Sequence, residues 1–189
     1  MDNAICVPGK NIKTFINKKG VSILLRFASV EDAPQMTSYI NEISKEDTFI
    51  NFSGEQLSLE EETKYAKGVI EKMLQGNEVK VLAFVGKELV GSADIIRNVR
   101  RMNHFGEMAF SIKKEYRGTG IGHEMMQILI DIAKQLGLRY LELSVFANNI
   151  AGHNLYKKVG FKEVGRIPEK FSYRGSYEDA IIMVKKLSS

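Results

Sequence analysis

The chain of 189 residues has one cysteine, three prolines, three histidines and no tryptophan. A lone thiol, Cys6, excludes an internal disulfide and a cysteine-built zinc site. His104, His123 and His153 do not share metal-ligand spacing with one another, so no metal is expected. The opening "MDNAICVPGKNIK" has no apolar run of signal-peptide length, and nowhere do about 18 apolar residues follow one another. The expectation is a cytoplasmic protein in a reducing compartment, with no membrane partner. Charge of one sign is also scarce: the formal excess is only +4. The densest basic stretch, "RNVRR" with Arg97, Arg100 and Arg101, has no interleaved aromatics. Nucleic acid is therefore not an expected partner.

What is present is the composition of an ordinary folded domain, 44% hydrophobic and 26% charged. Residues 1–12 lack periodicity and are expected to be a flexible tail, leaving 13–189 as one domain. "KTFINKKGVSILLRFA" predicts two strands joined at Lys18, Lys19 and Gly20. Ser29 offers an N-cap to a helix carrying Met36, Ile40 and Ile43. A capping box from Ser58 to Glu61 opens a second helix, with Tyr65, Val69 and Met73 along one face and Gly76 at its end. Between these helices "DTFINFSGEQL" is greasy for a loop, and Phe49, Ile50 and Phe52 either pack on the core or wall a pocket. Two apolar runs flank Gly86 and Lys87, a hairpin signal, and "HFGEMAFSI" is a third strand in this group. A helix from Ile121 stops at Gly137, followed by the strand "LRYLELSVF", the short helix "IAGHNLYKKVG" and two closing strands. The order is two strands, two helices, three strands, then helix, strand, helix and two strands. Hairpins make most of such a sheet antiparallel, whereas the strand, helix, strand unit from 105 to 147 predicts a parallel crossover.

"EYRGTGIGHEMM", residues 115 to 126, puts Gly118, Gly120 and Gly122 at the mouth of a helix. The first amides of a helix have no partner within it and carry positive partial charge, so they suit an anion. Arg117 adds a cation beside them. The better-known phosphate loops do not fit: a G-x-G-x-x-G pattern from Gly118 would need glycine where His123 stands, and no Gly-Lys-Ser/Thr follows.

Arg117 to Gly122 spell an R-x-x-G-x-G/A pattern, and "NIAGHNLYKKVGF" downstream places Asn149 seven residues before Tyr156 in an LY-x-K-x-GF run. On these two motifs the chain resembles the GNAT superfamily, the acyl-CoA-dependent N-acetyltransferases. The likeness extends over residues 21 to 187: "LLRFASVEDAP" looks like the opening strand and first helix, and "FSYRGSYEDAIIMVKKL" like the closing strands. The subgroup it resembles includes ribosomal-protein N-terminal acetyltransferases and small-amine or amino-acid acetyltransferases. The implied fold is α/β of the α+β type, a GNAT-like single domain. It has a mixed, mostly antiparallel central sheet flanked by about four helices, and "KTFINKKG" as an extra N-terminal strand.

The resemblance implies acetyl-CoA as co-substrate. Its pyrophosphate would rest on the amides of Gly118, Thr119, Gly120, Ile121, Gly122 and His123, and its pantetheine arm along the backbone of Phe110, Ser111 and Ile112, with Asn149 in reach. Tyr156 would also meet the ligand and give a proton to the departing thiolate, while an amide near Ile112 would stabilise the acyl oxygen. An alkyl amine is protonated at neutral pH, and Glu107, on the strand leading to the turn, is the candidate base. Where ribosomal-protein relatives carry a catalytic glutamate this chain has Ser144, which weakens the peptide N-terminus reading; Glu142 is held in reserve. The expected function is direct acetyl transfer to a primary amine of a small molecule, protein or peptide. The alternative is a catalytically inactive CoA-binding regulatory module. A homodimer is compatible with the family.

Overall fold

The structure, a computed structural model, describes residues 5–46 and 48–187. Its elements follow the expected order: β1 (Asn11–Ile16), β2 (Ser22–Phe27), α1 (Ala33–Lys45), α2 (Leu59–Leu74), β3 (Glu78–Val85), β4 (Glu88–Arg97), β5 (Phe105–Ile112), α3 (Ile121–Gln135), β6 (Tyr140–Phe146), α4 (Ile150–Lys158), β7 (Lys162–Tyr173) and β8 (Ser176–Lys186). The strands form one eight-stranded sheet in the order β1-β2-β3-β4-β5-β6-β8-β7. Every neighbouring pair is antiparallel except β5 with β6, the pair that α3 connects.

Each helix covers the sheet with the stripe its spacing provides. From α1, Met36, Tyr39 and Ile43 pack with Ala66 of α2 and with Leu82 and Phe84 of β3. On the opposite face Met125, Leu129 and Ile132 of α3 join Val81, Ala93 and Ile95 in the larger core. Full burial of each such side chain stabilises the fold by about 1.5–3 kcal/mol. Two helix readings shift in detail. Ser29 precedes a 3-10 turn, Val30–Asp32, and the α-helix starts only at Ala33. Asp32 holds that turn, accepting the Ser29 amide at 2.8 Å and the Arg26 guanidinium at 2.7 Å. In α2, Ala66, Val69 and Met73 are buried but Tyr65 lies at the edge, its hydroxyl 3.0 Å from Lys80 Nζ.

Residues 1–4 of the expected tail lie outside the described residues. From Ile5 the chain is packed: Cys6 is buried, the Gly9 amide donates to the Ala28 carbonyl at 3.2 Å, and Asn11 already begins β1. No helix among the described residues is long and apolar enough to cross a membrane.

The feature that positions the site is an opening inside the sheet. β5 and β6 pair only from Phe105 with Tyr140 to Glu107 with Glu142. Beyond that point β5 runs on to Ile112 and β6 to Phe146 without pairing each other, while each keeps its outer neighbour, β4 and β8.

Candidate active site

Backbone direction along β5 follows from one hydrogen bond. The Lys113 amide donates to the Val90 carbonyl on the β4 side at 3.0 Å. Amides alternate sides along a strand, so those of Ser111 and Ala109 also face β4, whereas those of Phe110 and Ile112 face the gap left by β6. Side chains alternate between the two faces of the sheet. Ser111 lies on the α1 face, its hydroxyl 2.8 Å from the Tyr39 hydroxyl. Phe110 and Ile112 lie on the α3 face. The gap therefore presents a short strand edge with free donors, the pattern that binds an extended, amide-bearing ligand.

The glycine turn closes one end of this edge. Gly120 is the N-cap of α3 with φ 100°, in the left-handed region that a side chain would strain. Gly122 serves packing instead: a Cβ there would come within 3.1 Å of Leu155, 3.3 Å of Ile112 and 3.3 Å of Phe110. The first turn of α3 is thereby pressed against β5 and α4. Thr119 is buried and its hydroxyl is spent on the Tyr116 carbonyl at 2.6 Å, so only its backbone is on offer. Buried Nδ1 of His123 has no hydrogen-bond partner among the described residues. Arg117 pairs with Glu46 at the end of α1 and donates to the Ile112 carbonyl at 2.8 Å. Its guanidinium thus ties α1, β5 and the turn together rather than projecting freely.

Asn149 caps α4, its side-chain oxygen accepting the Gly152 amide at 3.0 Å. Seven residues on, Tyr156 is buried, with its ring edge-on to Phe110 at 5.7 Å. Burial pushes its phenol well above the ordinary tyrosine range, so the proton stays on oxygen. Its hydroxyl makes no hydrogen bond among the described residues and is free to donate. Turn, free edge and Tyr156 are thus brought together through the contacts of Gly122 and Phe110, with Asn149 at the start of the helix that carries Tyr156.

Glu107 is on the opposite, α1 face. It and the next residue on that face, Ala109, are exposed although β5 is an inner strand, so a cleft lies open over the middle of the sheet. Glu107 stands directly beside Glu142 in the β5–β6 register, and among the described residues neither carboxylate has a cation partner. Ser144 follows along β6, its hydroxyl 3.3 Å from Lys170 Nζ. Of the greasy loop, Ile50 joins the core beneath α1, whereas Phe49 packs against Phe146 at 5.4 Å and Tyr173 at 5.2 Å, walling the cleft. Depressions of about 360 and 630 Å³ lie elsewhere, between α1 and the start of β4 and at residues 99–102.

Some site neighbours carried no sequence signal. Glu46, just past the end of α1, and Tyr39 within it are ordinary residues until the fold sets them against Arg117 and Ser111. The tip of the β1–β2 hairpin docks on the glycine turn, the Lys18 amide donating to the Thr119 carbonyl at 3.0 Å. Lysines at a hairpin tip are a weak hint of anion binding and no more. No group of three or more potential metal ligands occurs among the described residues.

A glycine-rich helix start, continuous with an unpaired strand edge in a split sheet, has the form suited to a long ligand with an anionic head and a peptide-like arm. The chain belongs to the acetyltransferase (GNAT) family, whose model matches residues 38–161. It is similar to YwnH of Bacillus subtilis, named provisionally as a phosphinothricin acetyltransferase, at 33% identity over 86 residues, 46% of this chain and 53% of that one. It is also similar to the Escherichia coli ribosomal protein bS18-alanine N-acetyltransferase, 32% identical over 78 residues, 41% of this chain and 53% of the other. The matches span about half the length of these curated relatives. Among solved structures, a GNAT-family acetyltransferase from Streptococcus pneumoniae superposes with a TM-score of 0.80 at 27% identity, covering 88% of this chain and 99% of that one.

Proposed function

We propose that this chain is an acetyl-CoA-dependent N-acetyltransferase that passes the acetyl group directly to a primary amine of a small molecule or peptide. The observation that carries this reading is the split between β5 and β6. It leaves the Phe110 and Ile112 amides unpaired on a line that ends at the glycine turn. A pantetheine arm can pair with such an edge while its diphosphate meets the amides of residues 118–123. The bound thioester supplies the activated acyl group. The chain's own residues do the rest. The Ile112 amide donates toward the acyl oxygen as negative charge develops there. Glu107, directly or through water, takes one proton from the acceptor ammonium, freeing the lone pair that forms the new C–N bond as the C–S bond breaks. Tyr156 donates a hydrogen bond and then its proton to the departing sulfur, which ends as a thiol; the second amine proton leaves by the same relay to solvent, and a solvent proton restores the Tyr156 phenol.

The test measures CoA release over an amine panel and acetyl-CoA binding by calorimetry, in wild type, Glu107→Gln and Tyr156→Phe. Each variant is expected to bind acetyl-CoA as wild type does and to lose turnover by about 10²- to 10⁴-fold, the range for one acid or base. Acetyl-CoA binding by wild type with no turnover on any amine would make it a regulatory module and sink the enzymatic reading.

A further inference from the structure

Along the cleft the side chains of β6 stand in a fixed chemical order. Glu142 lies beside Glu107 where the strands part, Ser144 comes next, and Phe146 follows. Same-face residues are roughly 7 Å apart along a strand, so the three positions span about 14 Å. Each has a partner that strengthens its character. Glu142 is doubled by Glu107, Ser144 accepts from Lys170 Nζ at 3.3 Å, and Phe146 stacks on Phe171 at 3.8 Å with Phe49 and Tyr173 around it.

Lys170 is placed there by a device. β7 slips register between Ile167 and Phe171, and Glu169 sits in that bulge with φ 51°. Asp179 of β8 pins the bulge, accepting the Glu169 amide at 2.9 Å and Arg166 at 3.3 Å. The distortion sends Lys170 to Ser144 and Phe171 to Phe146. Bulges of this kind re-aim side chains beside functional clefts.

The charges are the telling part. Lys170 has no carboxylate within ion-pair distance among the described residues, and Glu107 and Glu142 have no cation, although all three share one open cleft. Acidic and basic groups without a partner of opposite charge, at strand positions roughly 7 Å apart and followed by an aromatic wall, complement a zwitterion with an apolar side chain. We infer that the acceptor is a free α-amino acid with an apolar side chain. Its ammonium faces Glu107 and Glu142, its carboxylate is held by Lys170 and the Ser144 hydroxyl, and its side chain lies against Phe49, Phe146, Phe171 and Tyr173. This rests on the acetyltransferase reading above. It also gives Ser144 a use: a glutamate there would repel the acceptor's carboxylate.

The experiment compares kcat/KM for L-phenylalanine, L-leucine and L-methionine with that for their carboxamides, for phenethylamine and for a Phe-initiated dipeptide. It uses the full chain with acetyl-CoA, as wild type, Lys170→Gln and Lys170→Arg. Wild type is expected to prefer each free acid over its amide by about tenfold or more, the scale of one charge-assisted contact. In Lys170→Gln that preference collapses toward unity, chiefly through KM for the acid, and Lys170→Arg restores much of it. A merely structural lysine would lower acid and amide together. Amides or the dipeptide used as well as the acids, or a preference that survives Lys170→Gln, would overturn the inference while leaving the acetyltransferase standing. No turnover of any compound, with acetyl-CoA bound, would remove both.

Discussion

Gly120 and Gly122 are interchangeable as letters, yet the two positions answer to different physics. Gly120 holds a left-handed backbone with only the Lys18 side chain near, at 3.9 Å. Gly122 has an ordinary helical backbone and three side chains pressed on it. An alanine at 120 costs about 1–2 kcal/mol of backbone strain and reshapes the turn. At 122 it forces Leu155, Ile112 and Phe110 apart at about 1–3 kcal/mol and displaces the edge that carries the Ile112 amide. Gly122→Ala is therefore expected to lower Tm and to weaken acetyl-CoA binding measured by calorimetry. An unchanged Tm with an unchanged Kd would show that the third glycine is not a packing requirement. The sequence marked all three glycines as one cradle. It could not separate their reasons, because backbone angles and cross-element crowding are properties of the assembled turn.

At the level of elements, the β1–β2 hairpin is more than an added edge. Asn17 shapes its turn, its side-chain oxygen accepting the amides of Lys19 at 2.9 Å and Val21 at 3.0 Å. The turn then anchors on the loop before α3, the Lys18 amide meeting the Thr119 carbonyl and Lys19 Nζ the Glu115 carbonyl at 3.2 Å, while Lys13 of β1 pairs with Glu124 of α3 at 2.6 Å. Asn17→Ala strips two partly buried amides of their acceptor, a loss of about 1–3 kcal/mol. It is expected to lower Tm by several degrees and to raise the Kd for acetyl-CoA, since the tip and the glycine turn are joined. A lower Tm with wild-type affinity would reduce the hairpin to a stabilising edge. The hairpin itself was legible in "NKKG" between apolar runs. Its docking was not, because Lys19 and Glu115 are 96 positions apart and nothing local encodes their meeting. The same holds for Lys170, whose aim depends on a bulge fixed from the neighbouring strand.

Across the whole molecule, element order and the parallel pair could be read from periodicity and capping residues, while the turn's ligand, the strand edge, Asn149 and Tyr156 are singled out only through the family resemblance of two motifs. The proposed acceptor side could not, since it is assembled from loop 48–58, β6 and the β7–β8 hairpin, whose relation exists only after the sheet forms. That architecture also decides between two kinetic schemes. A two-step transfer needs a nucleophile that first takes the acetyl group, and the one thiol is Cys6. It is 3% exposed within the main core, and burial pushes its pKa up to about 11, so thiolate is scarce at neutral pH. On the proposed reading donor and acceptor instead approach the β5–β6 gap from opposite faces, which allows both to be bound at once. Initial-velocity plots with acetyl-CoA and amine varied together are expected to give intersecting lines. Cys6→Ala should keep kcat while losing about 1 kcal/mol of stability for the buried atom removed. Parallel lines, together with loss of turnover in a folded Cys6→Ala protein, would require a covalent acyl-enzyme that this arrangement of the chain does not provide for.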